Sequence, residues 1–296
     1  MKPIKRIHHL SATVGNPNEN LNFYKNVLGL KLVKQTVNFE DNGTYHLYFS
    51  NQLVDGGGII TFFPRLDNLK GRTGAGQVRR IAFSVPKGSL KSWEIRLSNK
   101  EVTFERQTFF QKEALLFHDP HNIHLALIES EINCEDIEII DFYGIEILSE
   151  KPIETLSVLT QEMGLFLKEI TTDYYHLEMC GYEKHQVLIH RQLTQRGRLG
   201  IGTVHHVAWS VSDKKELKEW KAKLAKERNV TDIHNRKYFY SAYLRDPGRV
   251  IYEFATEGPG FTVDESFETL GSRLMLPENY EMNRKQIEEK LPKLDI

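Results

Sequence analysis

The chain has 296 residues, of which 40% are apolar and 27% charged, ample material for a buried core in one large domain or two ordinary ones. Its 39 basic and 40 acidic residues leave a formal charge of −1 with no long block of one sign, so nothing predicts a nucleic-acid or membrane surface. Cys134 and Cys180 are too few for a disulfide framework, and the opening MKPIKRIHHL has no apolar leader core, which points to a cytoplasmic protein.

In chain order, RIHHLSATV predicts a strand that opens with two adjacent histidines, His8 and His9. A helix follows over residues 17–28: Asn16 suits the N-cap, Pro17 the first helical position and Gly29 the stop, with Leu21, Tyr24 and Leu28 as the apolar stripe. Three β-rich runs come next, LKLVKQTVNF, TYHLYFS and GGIITFF. GRTGAG at 71–76 lacks the Lys-Ser/Thr of a phosphate loop and reads as a linker. GQVRRIAFSV at 76–85 then matches GTVHHVAWSV at 202–211, each a Gly-x-Val, two polar residues and apolar–Ala–aromatic–Ser–Val.

The two copies agree at their far ends as well. Each reaches an Asp-Pro turn, with Asp119 lying 39 residues after Arg80 and Asp246 lying 40 after His206. A weaker copy runs from IEIIDFYGIEIL to HQVLIHR, and the last copy has a helix near 213–226 with Leu217, Trp220 and Leu224 on one face. The expected architecture is α+β: four βαβββ units at 1–66, 76–130, 137–191 and 202–257, then a tail over 258–296 with a helix near 280–291. Such a unit curls into an open sheet with a bare concave face, so the units pair into two cupped barrels.

Strand alternation sorts the side chains. His9, Ser11 and Thr13 share the polar face suited to the cup, while His8 goes with Leu10, Ala12 and Val14. By the same count His206 faces the cup, and His205 joins Val207, Trp209 and Val211 on the packed side. On the last strand Tyr252 and Phe254 flank Glu253, which then points into the cup, where an ionised carboxylate needs a partner. Two imidazoles and one carboxylate form a facial triad that leaves open positions on an octahedral metal. Unit two has Arg80 and Ala126 at the equivalent places, unit three has Gly144, and the last strand of unit one has no acid. The metal-binding barrel is therefore expected from units one and four, with two and three as its companion. His46, His118, His121, His124, His176, His185, His190 and His234 lack this equivalence and are read as structural or surface residues.

Long strings carry a resemblance: HHLSATVGNPNENLNFYKNVLGLKLVKQTVNF, IITFFPR, GTVHHVAWSV and RKYFYSAYLRDPGRVIYEFATEGPGF. The chain resembles the vicinal-oxygen-chelate (glyoxalase/bleomycin-resistance/dioxygenase) superfamily, and within it the ring-cleaving dioxygenases that act on hydroquinones. The resemblance implies Fe2+ on His9, His206 and Glu253, with Zn2+, Mn2+ or Ni2+ as stand-ins in a purified sample. It also implies supporting roles for His8, Ser11, His205, Arg236 and Tyr243. The partners are then dioxygen and a small aromatic substrate, whose pocket walls are expected from several units and the tail. Homo-oligomers are compatible with exposed sheet edges. A glyoxalase-like metal-dependent lyase or transferase, or a non-catalytic aromatic-binding protein, is the alternative on the same fold.

Overall fold

The computed structural model describes residues 2–134 and 136–296. Unit one comprises β1 (Ile7–Val14), α1 (Pro17–Asn22), β2 (Lys31–Asn38), β3 (Asp41–Ser50) and β4 (Ile60–Pro64). The Asn16 side chain accepts from the backbone N–H of Asn18, as its place before Pro17 suggested, and a π-helical turn over Phe23–Val27 extends the helix. Unit two comprises β5 (Gln77–Val85), α2 (Leu90–Asn99), β6 (Phe104–Phe109), β7 (Lys112–His118) and β8 (His124–Glu129). Unit three comprises β9 (Asp141–Leu148), α3 (Pro152–Ser157), β10 (Phe166–Ile170), β11 (Tyr174–Glu178) and β12 (Gln186–His190). Unit four comprises β13 (Thr203–Val211), α4 (Lys214–Leu224), β14 (His234–Asn235), β15 (Phe239–Arg245) and β16 (Ile251–Pro259).

The strands form two eight-stranded sheets, in the orders β14-β15-β16-β13-β1-β4-β3-β2 and β10-β11-β12-β9-β5-β8-β7-β6. The two ends of the chain thus share one curled sheet, joined by antiparallel β1 and β13, while the middle units share the other through β5 and β9. Helices cover the outer faces with the stripes legible in the sequence. Leu217, Trp220 and Leu224 of α4 are buried, and the Trp220 ring stacks on Phe254 at 5.2 Å. One continuous apolar core runs beneath the helices of both sheets.

Alternation does not run unbroken through the central strands. Along β1 and β13 the register steps from Ile7 opposite Trp209 to His9 opposite Ala208, leaving His8 as an extra residue. It steps again from Ser11 opposite His206 to Ala12 opposite Val204, leaving His205 extra. Arg79 and Tyr143 are the extra residues at the equivalent steps of β5 and β9. Each unit therefore bulges at the residue just before its ligand place, His9, Arg80, Gly144 or His206, and a bulge re-aims side chains that simple parity would place on the opposite face.

The tail, with short helices α5 (Glu278–Glu281) and α6 (Arg284–Lys290), crosses back over unit one. The Gln35 amide donates to Gly271 O at 2.6 Å, the Met275 N–H donates to Gln35 O at 2.8 Å, and the Tyr280 hydroxyl donates to Phe39 O at 3.0 Å. No helix among the described residues is long and apolar enough to cross a membrane.

Candidate metal centre and its cavity

Three donors from three strands converge where β1, β13 and β16 run side by side. The Nε2 atoms of His9 and His206 lie 3.3 Å apart, and Glu253 Oε2 lies 3.0 Å from the first and 2.8 Å from the second. All three side chains are buried, Glu253 completely. Neither Glu253 oxygen has a hydrogen-bond partner, although the distances are short, so the imidazole N–H groups are not aimed at it. Two donors bonded at about 2.1 Å to a common cation and at right angles to each other would lie about 3.0 Å apart. The observed triangle has edges of that size, and its unpartnered carboxylate is what a cation would complete.

The electrostatics agree. Burial alone would raise the Glu253 carboxyl, but the field of His9 and His206 outweighs it and holds the group well below the usual carboxylate range. Burial also pushes His206 down, toward the neutral ring, against the pull of Glu253. These directions compete, because an imidazole holds the carboxyl down only when protonated and burial favours the neutral ring of His206. A cation among the three donors satisfies both.

The first histidine pair fixes the tautomer of its second member. His8 Nε2 lies 3.1 Å from the carbonyl oxygen of Thr256, which only accepts, so His8 donates there and leaves its Nδ1 bare. His9 Nδ1, 2.8 Å from that bare nitrogen, must carry its own proton, and His9 Nε2 is then free to offer a lone pair. His206 and His205 repeat the contact, Nδ1 to Nδ1 at 2.8 Å. This is what the repeated pair accomplishes: the bulge residue holds the ring of its successor.

A cavity of about 820 Å³ opens beside the triangle. His9, Ser11, Thr13 and His206 line it, as alternation predicts, together with Arg236 and Tyr243. His205 lines it too, contrary to its expected place on the packed side, because of the bulge. The parity assignment of His8 also fails: its ring packs edge-on against His9 and Phe239, each about 5 Å away, not beneath α1 with Leu10 and Ala12. His46 and His234, read as structural or surface residues, both line the cavity. Alternation in TYHLYFS carried the signal for His46, since it shares a face with Tyr48, which also lines the cavity, while Tyr45, Leu47 and Phe49 face the core. Phe39, Phe63 and Phe239 supply aromatic walls, and no residue of the expected tail wall beyond 258 is among those lining the space.

The Arg236 guanidinium bridges unit four to Glu40 of unit one at 3.2 Å and lies 5.4 Å from the Tyr243 ring centre. Burial opposes its charge, but Tyr243, Glu253 and Glu40 outweigh burial and raise its pKa further. Tyr243 sits opposite Glu253 in register, and burial together with that carboxylate pushes its phenol upward, so it remains a proton donor at neutral pH. The companion barrel differs at the same place. Arg80 Nε lies 3.8 Å from buried Glu146, and Phe109 and Phe110 pack with Ala82, Ala126 and Leu188 to fill its cup.

Residues 6–127 match the Glyoxalase/Bleomycin resistance protein/Dioxygenase superfamily. The chain is 40% identical to MhqO of Bacillus subtilis strain 168, provisionally named a ring-cleaving dioxygenase, over 98% of this chain and 96% of that protein. The chain belongs to this superfamily. A more distant relative in it, the chlorohydroquinone/hydroquinone 1,2-dioxygenase of Sphingobium indicum, is 28% identical over 92% of this chain and 91% of its own. A crystal structure of a provisionally named dioxygenase from Bacillus subtilis subsp. subtilis str. 168 superposes with a TM-score of 0.95 at 40% identity, covering 100% of this chain and 99% of that one. Glyoxalase I from Zea mays, 13% identical over 86% of this chain and 92% of its own, shares the fold at a TM-score of 0.65. Dioxygenases of this superfamily imply a divalent metal, and the His-His-Glu group is the one candidate site among the described residues.

Proposed function

We propose that the chain is an Fe(II)-dependent, extradiol-type dioxygenase that opens the ring of a hydroquinone or a related dihydroxylated aromatic. The observation that carries this reading is the buried triangle of His9, His206 and Glu253 facing an aromatic-walled cavity. The names of the relatives at 40% and 28% identity support it. Iron in that triangle would supply a redox centre with open positions for substrate and dioxygen. The chain's own residues would bind and orient the ring. Arg236 contributes a fixed positive charge for an ionised hydroxyl, Tyr243 and Ser11 contribute hydroxyl donors, and the phenylalanines pack against the ring faces. The lyase or transferase alternative calls for a second carboxylate among the donors, and among the described residues Glu253 is the single acid in the group.

Protein purified without oxygen and loaded with Fe(II), Mn(II) or Zn(II) separates these readings. With iron, hydroquinone or 2-methylhydroquinone should drive oxygen uptake with loss of aromatic absorbance, and catechol serves as the comparison. No uptake at full iron loading with any of the three would overturn the proposal. A variant tests the tautomer chain. His8→Phe keeps a ring against Phe239 but removes the acceptor for His9 Nδ1, and should weaken metal binding about 10- to 100-fold in chelator competition. Unchanged affinity would show that His8 does not set the ligand.

A further inference from the structure

Ser11 is the inner end of a hydrogen-bonded row that nothing above uses. Its Oγ lies 2.7 Å from Thr61 Oγ1, which lies 2.8 Å from His46 Nε2, and His46 Nδ1 lies 3.0 Å from the Tyr48 hydroxyl. All four residues are buried, and the His46 ring is sandwiched between Tyr48 and Phe63 at centroid distances of 4.1 and 4.2 Å. Tyr48 has no hydrogen-bond partner besides His46 among the described residues.

Both ends of the row, Ser11 and Tyr48, line the cavity. Ser11 is the end paired in register with His206, where an anionic oxygen of the substrate would draw a proton, and that sets the direction: Tyr48 donates to His46 Nδ1. Burial, with His9 and His206 nearby, pushes His46 well below the usual imidazole range, so the ring is neutral and its single proton sits on Nε2. His46 therefore donates to Thr61, and Thr61 donates to Ser11. The Ser11 hydroxyl, with its oxygen already accepting, has its own proton left for the cavity it lines. Successive donors in such a row polarise one another.

We infer that Thr61, His46 and Tyr48 are positioning residues that hold the Ser11 hydroxyl as a hydrogen-bond donor to an anionic oxygen of the substrate. The inference rests on the ring-cleaving reading for the identity of that oxygen. Its geometry makes Thr61 act through Ser11, which a residue serving only the fold would not do.

A double-mutant cycle on the iron-loaded enzyme tests it, with Ser11→Ala, Thr61→Val, the double variant and Thr61→Ser. The readouts are kcat and KM for hydroquinone, and the Kd of 4-nitrocatechol measured anaerobically from its absorbance shift. Ser11→Ala and Thr61→Val should each lower kcat/KM and weaken nitrocatechol binding about 10-fold or more, the scale of one hydrogen bond to a charged group. The double variant should be no worse than either single one, and Thr61→Ser should stay near wild type. Additive losses, or Thr61→Val indistinguishable from Thr61→Ser, would overturn the inference. Matched thermal midpoints of the variants exclude a folding defect. If the wild-type enzyme takes up no oxygen, the ring-cleaving reading falls, and the nitrocatechol cycle still decides whether Thr61 acts through Ser11.

Discussion

Glu253→Ala should reduce oxygen-dependent turnover by about a thousandfold or more and leave the purified protein without stoichiometric metal. The carboxylate is the single anion among the three candidate donors, and both of its oxygens lack hydrogen-bond partners. Two imidazoles alone would hold a hard divalent cation weakly. The fold should survive the change. The isosteric Glu253→Gln should destroy activity and stoichiometric metal retention while the apoprotein stays folded. Loss of metal and activity without loss of the fold separates a functional carboxylate from a structural one. An active Glu253→Gln enzyme with normal metal content would remove the residue from the site. His206→Ala should lose activity in the same way.

The second large effect lies in the tail. Lys34, on β2, is completely buried, with its ammonium 2.7 Å from Asp264 and in contact with Glu265, and it lies beneath the Tyr238 ring. Lys34→Ala would leave those acids short of a cation and should cost about 3–5 kcal/mol of stability, measured by denaturant unfolding. Lys34→Met, which preserves the packing of the stem, should still release the tail to proteolysis. Wild-type stability and tail protection in both variants would show that the cluster does not anchor residues 258–296. The pH dependence has a definite sign. Burial opposes ionisation of Asp264, but Lys237 and Lys34 outweigh it and hold its folded pKa below the ordinary 3.8. A carboxyl depressed in the folded state stabilises above its unfolded pKa, and that contribution is lost as pH falls through the lower folded value. The wild-type tail should therefore stay docked down to about pH 4, and Lys34→Ala should release it at higher pH.

The repeat made most of the architecture visible. GTVHHVAWSV and GQVRRIAFSV align because each begins a central strand of a barrel, and the loss of ligand types from the middle copies separated the two sheets. Glu253 was legible because a carboxylate between Tyr252 and Phe254 on a buried strand has no bland explanation. The doubled histidines were only half legible. Alternation placed His9 and His206 but misplaced His8 and His205, because a bulge is a property of pairing between strands and leaves no mark on the period of one strand. The cavity wall from unit one was hidden for another reason. His46 has no counterpart in the other units, and its meaning appears only when β3 and β4 bring it to Thr61 and so to Ser11.

The most direct test of the account is the fate of dioxygen. Iron-loaded protein, given hydroquinone under heavy-isotope dioxygen and analysed by mass spectrometry, should yield a ring-opened acid that carries both labelled atoms. An unlabelled product, or an intact quinone with the label left in water, would contradict ring cleavage at the His9–His206–Glu253 centre.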